Sequence, residues 1–278
     1  MSISNILLHA SAEHVVPHRG PAAYAISLAT TFGAHLTSLV FELDIYSPSG
    51  AYGRSIAAEA RALVEARNHE ALAGAARLRE AAAEAKLSAD IITTRSYAYG
   101  VPEIVADHAR LSDVTVAGMD PSGPLSEHGI AEHVLFQSGR PLIVVPAEHL
   151  GGFACERIVV AWDFGRTSAR ALADAAPFLA RATEVTIVTF GDDKRIDTSL
   201  TGDHVVAALL RRGVAARFEQ VARGSATIDA ALLSQARGRK ADLLVMGGYG
   251  HSRFREFILG GATRGVLQTA TLPVLLSH

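Results

Sequence analysis

Five glycines crowd one short stretch of this 278-residue chain: Gly247, Gly248, Gly250, Gly260 and Gly261. They follow a four-residue apolar run, Leu243-Leu244-Val245-Met246, and lead into a helix-forming segment at residues 262–269. A strand, a glycine loop and a helix in that order suit an anion. Glycine lets the backbone approach a ligand closely and adopt positive φ. The N–H groups at the helix start, aided by the helix dipole, favour phosphate. Glycine makes up 24 of the 278 residues, so three glycines at fixed offsets say little by themselves. Their place directly behind a buried-type strand is what points to phosphate. The competing reading is a glycine-rich turn that tightens a strand-to-helix connection.

Other chemistries are less well supported. The chain has twelve histidines. His9, His14 and His18 cluster near the end of the first strand, and His128 and His133 lie near the last helix of the same half. Asp120 or Glu127 could join them in a metal site. Helical ligands need three- or four-residue spacing to share a face, and these two histidines are five apart with no cysteine pair beside them. They read better as surface or partly buried histidines, and no metal site is expected. No G-x-S-x-G elbow, H-E-x-x-H or Walker A pattern occurs. Asp192-Asp193 could hold magnesium, but the pair fits better in a solvated loop that caps a turn.

The elements that would position the loop can be read along the chain. Residues 3–10 begin as an apolar strand, 17–32 read as a helix and 36–41 as a second strand. Residues 54–86 are alanine-rich and predict one long helix, with a break at Gly74 as the alternative. Ile56, Leu63, Leu72 and Leu78 are its packing candidates, with a partner-binding face as the other reading. A strand at 89–96, a helix at 101–111, a strand at 114–117, a helix at 129–137 and a strand at 142–145 follow. A linker at 147–156 carries Gly151-Gly152. The same order then restarts: strand 157–161, helix 167–181, strand 185–190, helix 204–212, strand 214–221, helix 226–237, strand 243–246, helix 262–269 and strand 274–276.

Residues 22–41 align without gaps on 171–190. Gly118 pairs with Gly247, Gly129 with Gly261, Leu135 with Leu267 and Pro141 with Pro273. Such self-similarity implies two copies of one unit. The expected fold is α/β: two tandem doubly wound domains over residues 1–148 and 149–278, each a five-stranded parallel-type sheet with helices on both faces. Ligands in such folds bind beyond the carboxyl ends of strands, where Gly247 should sit. Apolar residues are 49% and charged residues 19% of the chain, and the net charge is −2. This ordinary globular composition has no basic excess for nucleic acid. No apolar run approaches the length of a membrane span, and the N-terminus lacks a signal-peptide pattern. The single cysteine, Cys155, fits a reducing cytoplasm and reads as an inert thiol.

Each half resembles a universal stress protein domain, and the whole chain resembles a tandem two-domain member. The glycine spacing carries the likeness. Gly247, Gly250 and Gly260 match the family's Gly, two residues, Gly, nine residues, Gly. The run Ile158-Val159-Val160-Ala161-Trp162-Asp163 ends in an aspartate, as the family's first strand does. Gly224 before Ile228, and Gly100 before Ile104, fit as well.

The resemblance implies an adenine-nucleotide site in the second half, with ATP as cofactor together with magnesium. By family position, Asp163 faces the adenosine end and Phe190 offers backbone groups to the adenine edge. Met246 and Gly247 line the ribose and α-phosphate. Gly250, Gly260, Gly261 and Ala262 present N–H groups to the phosphates. Gly261 departs from the family's Ser or Thr and loses one hydrogen bond to a charged group, worth about 1.5–3 kcal/mol. His251, Arg253 and Arg255 in the loop could compensate, or simply form a solvated loop surface. The first half departs further. Pro121 replaces the second glycine, His128 stands for Gly260, Ser11 stands for Asp163, and Asp120 and Glu127 would repel a triphosphate. No ATP is expected there. The resemblance also implies that the strands behind Pro141 and Pro273 pair in an internal pseudo-dimer, with homodimer assembly beyond it. The expectation is a cytoplasmic stress-response regulator and no enzyme. Without an evident general base near the loop, any ATP hydrolysis should be slow. The rivals are an interaction or scaffold protein of the same fold that binds no nucleotide, and a nucleotide-using transferase or hydrolase.

Overall fold

The structure is a computed structural model that describes residues 2–11, 15–16, 18–44, 51–120, 126–192, 198–248 and 261–278, with backbone alone at 51–58. The chain divides into two compact units. One comprises Ile3–Arg140 with Leu150–Phe153, and the other includes Pro141–His149 and Ala154–His278.

The N-terminal unit contains β1 (Asn5–His9), α1 (Gly20–Phe32), β2 (His35–Asp44), α2 (Ala51–Glu84), β3 (Ala89–Tyr97), α3 (Val101–Ala109), β4 (Val114–Ala117) and α4 (Glu127–Gln137). Its strands are parallel in the order β3-β2-β1-β4. β1 and β4 are buried almost throughout, as parallel strands covered on both faces must be. The helix α1 starts later than the sequence suggests, with Pro21 in its first turn, and stops at Gly33 in the left-handed region. The long helix α2 is continuous through Gly74. Its packing stripe is Gly74, Ala75, Leu78 and Ala82, whereas Leu63 and Leu72 are exposed. Small alanines let the helix lie close to the sheet, so Leu63 and Leu72 were poor markers of the buried face while Leu78 lies on it. The Phe153 ring packs on Tyr24 and Phe32, fixing the end of the glycine-marked connection to this unit.

The C-terminal unit contains β5 (Leu142–Val144), β6 (Arg157–Ala161), α5 (Arg166–Asp174), α6 (Ala176–Leu179), β7 (Glu184–Phe190), α7 (Gly202–Leu210), β8 (Ala216–Val221), α8 (Ile228–Gly238), β9 (Leu243–Gly247), α9 (Gly261–Thr269) and β10 (Val274–Ser277). Its strand order is β5-β10-β9-β6-β7-β8. All pairs are parallel except β5 with β10, where Val274 faces Val144 and Leu276 faces Leu142.

This corrects the expectation of two five-stranded parallel sheets. The units carry four and six strands, because the strand behind Pro141 pairs antiparallel with the strand behind Pro273. The pairing of those two segments was expected; its effect on the strand count was not. A second correction concerns the helix expected over 167–181, which is split into α5 and α6. Pro177 has no N–H to continue the ladder, so the helix breaks at Ala175.

Candidate functional site

The carboxyl ends of β6, β7 and β9 lie at one end of the C-terminal sheet, as parallel pairing requires. Asp163 stands two residues beyond β6. Its Oδ1 accepts hydrogen bonds from the Gly165 N–H at 2.8 Å and from the Ser168 hydroxyl at 2.7 Å. Between them Phe164 adopts φ of 57°, a left-handed conformation unusual for a bulky residue. The Asp163 carboxylate thus closes the turn that launches α5.

Gly247 meets that same helical turn from β9. A β-carbon at Gly247 would lie 2.6 Å from the Thr167 carbonyl carbon and 2.7 Å from the Ser168 nitrogen. Asp163 and Gly247 therefore converge on residues 167–168, one through a side chain and the other through backbone contact. Beyond Gly247 the chain stays tied to β10. The Gly248 N–H donates to the Ser277 carbonyl at 2.7 Å, and Nδ1 of His278 lies 3.0 Å from the Gly248 carbonyl. Met246 is buried, within β9. Gly261 and Ala262 open α9, the former exposed and the latter half-buried. Gly250 and Gly260, with His251, Arg253 and Arg255, lie outside the described residues.

Phe190, at the end of β7, lines a cleft of about 400 Å³ together with Phe164, Thr201, Gly202, Phe218 and Gln220. That volume is within the range of small-molecule sites. Phe164 tilts toward Phe218 with ring centroids 6.2 Å apart, and Trp162 meets Phe164 edge-on at 5.8 Å. The N-terminus of α7 opens here, where Thr201 and His204 form a reciprocal cap. Sequence reasoning selected Phe190 and Asp163 but missed Phe164, Phe218 and Gln220. Aromatics are only 6% of the chain, so Trp162 and Phe164 flanking Asp163 were a readable signal. Phe218 and Gln220 arrive on β8 and carry no motif.

The Asp192 carboxylate spans two loops by accepting the Arg223 and Gly224 N–H groups, both at 2.9 Å. Those bonds hold its carboxyl below the usual range. Asp193, its expected partner for magnesium, lies outside the described residues.

The equivalent place in the N-terminal unit is built differently. Glu127, fully buried at the start of α4, accepts the Ser11 N–H at 2.7 Å and the Asp120 N–H at 3.0 Å. Its carboxylate lies against Gly118, where any β-carbon would collide with it. A carboxylate from the chain itself thus sits among backbone donors at a helix start. His128 pairs with Glu132 at 3.3 Å and His133 with Glu103 at 3.0 Å, and His14 lies outside the described residues. Among the described residues no group of three or more His, Cys, Asp or Glu could hold a metal.

Residues 155–278 match the universal stress protein family. The fold likeness extends over its whole length. A universal stress protein from Archaeoglobus fulgidus DSM 4304 is 15% identical with a TM-score of 0.65, covering 98% of this chain and 95% of that one. A functionally unknown protein from Pseudomonas aeruginosa PAO1 is 14% identical with a TM-score of 0.54, covering 99% of this chain and 92% of that one. No curated protein matches the chain. Among the described residues, no helix is long and apolar enough to cross a membrane.

Proposed function

We propose that the C-terminal unit binds an adenine nucleotide, ATP with magnesium, and that the protein acts in the cytoplasm as a stress-response regulator rather than as an enzyme. The observation that carries this reading is the aromatic cleft lined by Phe164, the residue after Asp163, with Phe190 at the carboxyl end of β7 and Phe218 on β8. Open α/β sheets bind ligands there, and aromatic faces suit a nucleobase. The base would occupy the cleft, with the ribose passing Asp163 and Gly247. The phosphates would then reach the N-terminus of α9, where Gly261 and Ala262 begin the helix and Gly250 and Gly260 complete the glycine spacing. Turnover of ATP is expected to be slow, and a homodimer is the expected assembly, measurable by light scattering.

Trp162 is the only tryptophan of the chain and packs on Phe164. It supplies the readout. Protein emptied of nucleotide by denaturation and refolding is titrated with Mg-ATP, following Trp162 fluorescence and the melting temperature. Saturable quenching with a rise in melting temperature is the expected result. Binding at about a hundred times Kd stabilises by about 2.7 kcal/mol. No change in either signal at millimolar ATP removes the nucleotide reading.

One observation favours a second reading, a scaffold of the same fold without nucleotide. Gly261 brings no hydroxyl to the start of α9, and the first hydroxyl on that helix, Thr263, is buried. On this reading, loop substitutions such as Gly250→Asp leave function intact.

A further inference from the structure

A second cavity, of about 110 Å³, lies in the N-terminal unit between the carboxyl ends of β1 and β2 and the middle of α2. Leu8, Val40, Phe41 and Leu78 give it apolar walls, His9, Ser38 and Asn68 contribute polar atoms, and Arg67 and Glu70 bring one charge of each sign to its lining. His9 is 4% exposed, and neither of its ring nitrogens makes a well-formed hydrogen bond, the Leu39 backbone lying close enough only to act on its charge. Its ring meets Phe41 edge-on at 5.8 Å. Buried polar side chains are nearly always satisfied, so an imidazole without a well-formed hydrogen bond beside a cavity points to an occupant.

We propose that this cavity binds a small uncharged ring compound bearing both a hydrogen-bond donor and an acceptor, of the phenol or hydroxypyridine class, with His9 as its polar contact. Three observations set the class. The volume suits one ring, since a cavity of about 150 Å³ lined by apolar side chains takes benzene. The imidazole is held neutral, because burial lowers its pKa below the ordinary value despite the nearby Glu127 carboxylate. A neutral imidazole presents one donor and one acceptor, and so pairs with a ligand that offers both. Finally, the surrounding charges balance: Arg67 and Glu70 on the lining oppose each other, and Glu127 occupies the Ser11 N–H, so an anionic ligand would find no free backbone donor at Ser11. The geometry of this site is independent of the nucleotide reading in the other unit.

The test uses the full-length protein and three probes of one ring size: phenol, benzoate and toluene. Saturation-transfer NMR reports binding, and the ring nitrogens of ¹⁵N-labelled histidine report the contact. Phenol is expected to saturate and to shift the His9 resonances. Toluene and benzoate are expected to bind roughly tenfold more weakly, one for want of a hydrogen bond and the other for its charge. His9→Phe keeps an apolar ring in the same place and should weaken phenol by about the same factor. Val40→Phe, at a half-buried wall position, fills the cavity without touching His9 and should abolish binding even if His9→Phe fails to fold. The proposal is overturned if phenol gives no transfer to the parent protein, which would mean a cavity holding water only. It is equally overturned if phenol binds Val40→Phe as it binds the parent, or if its binding leaves the His9 nitrogens unshifted.

Discussion

Gly247 and Thr167 meet backbone to backbone: a β-carbon on Gly247 would stand 2.6 Å from the Thr167 carbonyl carbon. Turning the Thr167 side chain away would leave the two backbone clashes, so either β9 or the start of α5 must move to admit even a methyl group. Gly247→Ala should therefore destabilise the protein by about 1–3 kcal/mol, the usual cost of overpacking a tight contact. At this chain size that lowers the melting temperature by about 2–4 °C per kcal/mol. Thermal denaturation of the ligand-free protein checks it. A variant that melts with the parent would show that Gly247 is there for a ligand alone and not for the helix.

Gly261 is the opposite case. Nothing lies within 4 Å of where its β-carbon would stand, and its φ is not in the left-handed region. Gly261→Ser should fold without strain, and would restore the hydroxyl that the family resemblance places against a phosphate. One added hydrogen bond to a charged group is worth about 1.5–3 kcal/mol. Mg-ATP affinity is expected to rise roughly tenfold or more, read by titration of Trp162 fluorescence. Unchanged or weaker affinity would place the phosphates elsewhere than the start of α9.

Alternating elements and the repeat of residues 22–41 in 171–190 made the layered α/β character legible, because buried parallel strands and their covering helices each leave a periodic apolar trace. The partner of β5 was only partly legible. Leu142–Val144 is three apolar residues, and so short a run gives no sign of its direction or of which neighbours fill its edges. The break before Pro177 was available in the sequence and went unused, because the apolar periodicity runs on through it. At the candidate site, glycines and Asp163 stood out by type and spacing. Phe218 and Gln220 did not, since a residue on β8 comes to the cleft through the sheet order alone. Glu127 read only as a repelling charge. Its burial beneath two backbone donors depends on how α4 starts, which spacing does not reveal.

Asp163 holds the turn into α5 through Gly165 and Ser168. An amide oxygen can accept both of those hydrogen bonds, so Asp163→Asn should melt close to the parent. Asp163→Ala removes the acceptor and should cost about 0.5–2 kcal/mol, as for loss of a helix cap. Comparing the ligand-free melting curves of the two variants separates this scaffold role from any service to a nucleotide. Equal stability of parent and Asp163→Ala would count against it.

His9 should make stability depend on mild acid. In the folded protein burial lowers its pKa, with Glu127 and the Leu39 backbone opposing the shift and only partly offsetting it. In the unfolded chain the imidazole titrates near its ordinary value of about 6.5. Between the two values the unfolded state binds more protons than the native state, so stability falls as pH drops through that window. Above about pH 6.5 both states hold a neutral ring and the residue contributes no slope. His9→Gln has no titrating group, and it should flatten the stability curve below that pH while leaving the slope above it unchanged. Urea denaturation of parent and variant at matched pH values measures the difference. Parallel curves across the acid range would mean that folding leaves the His9 pKa unshifted, and a parent that gains stability relative to the variant as pH falls would mean a His9 protonated in the native state and paired with Glu127.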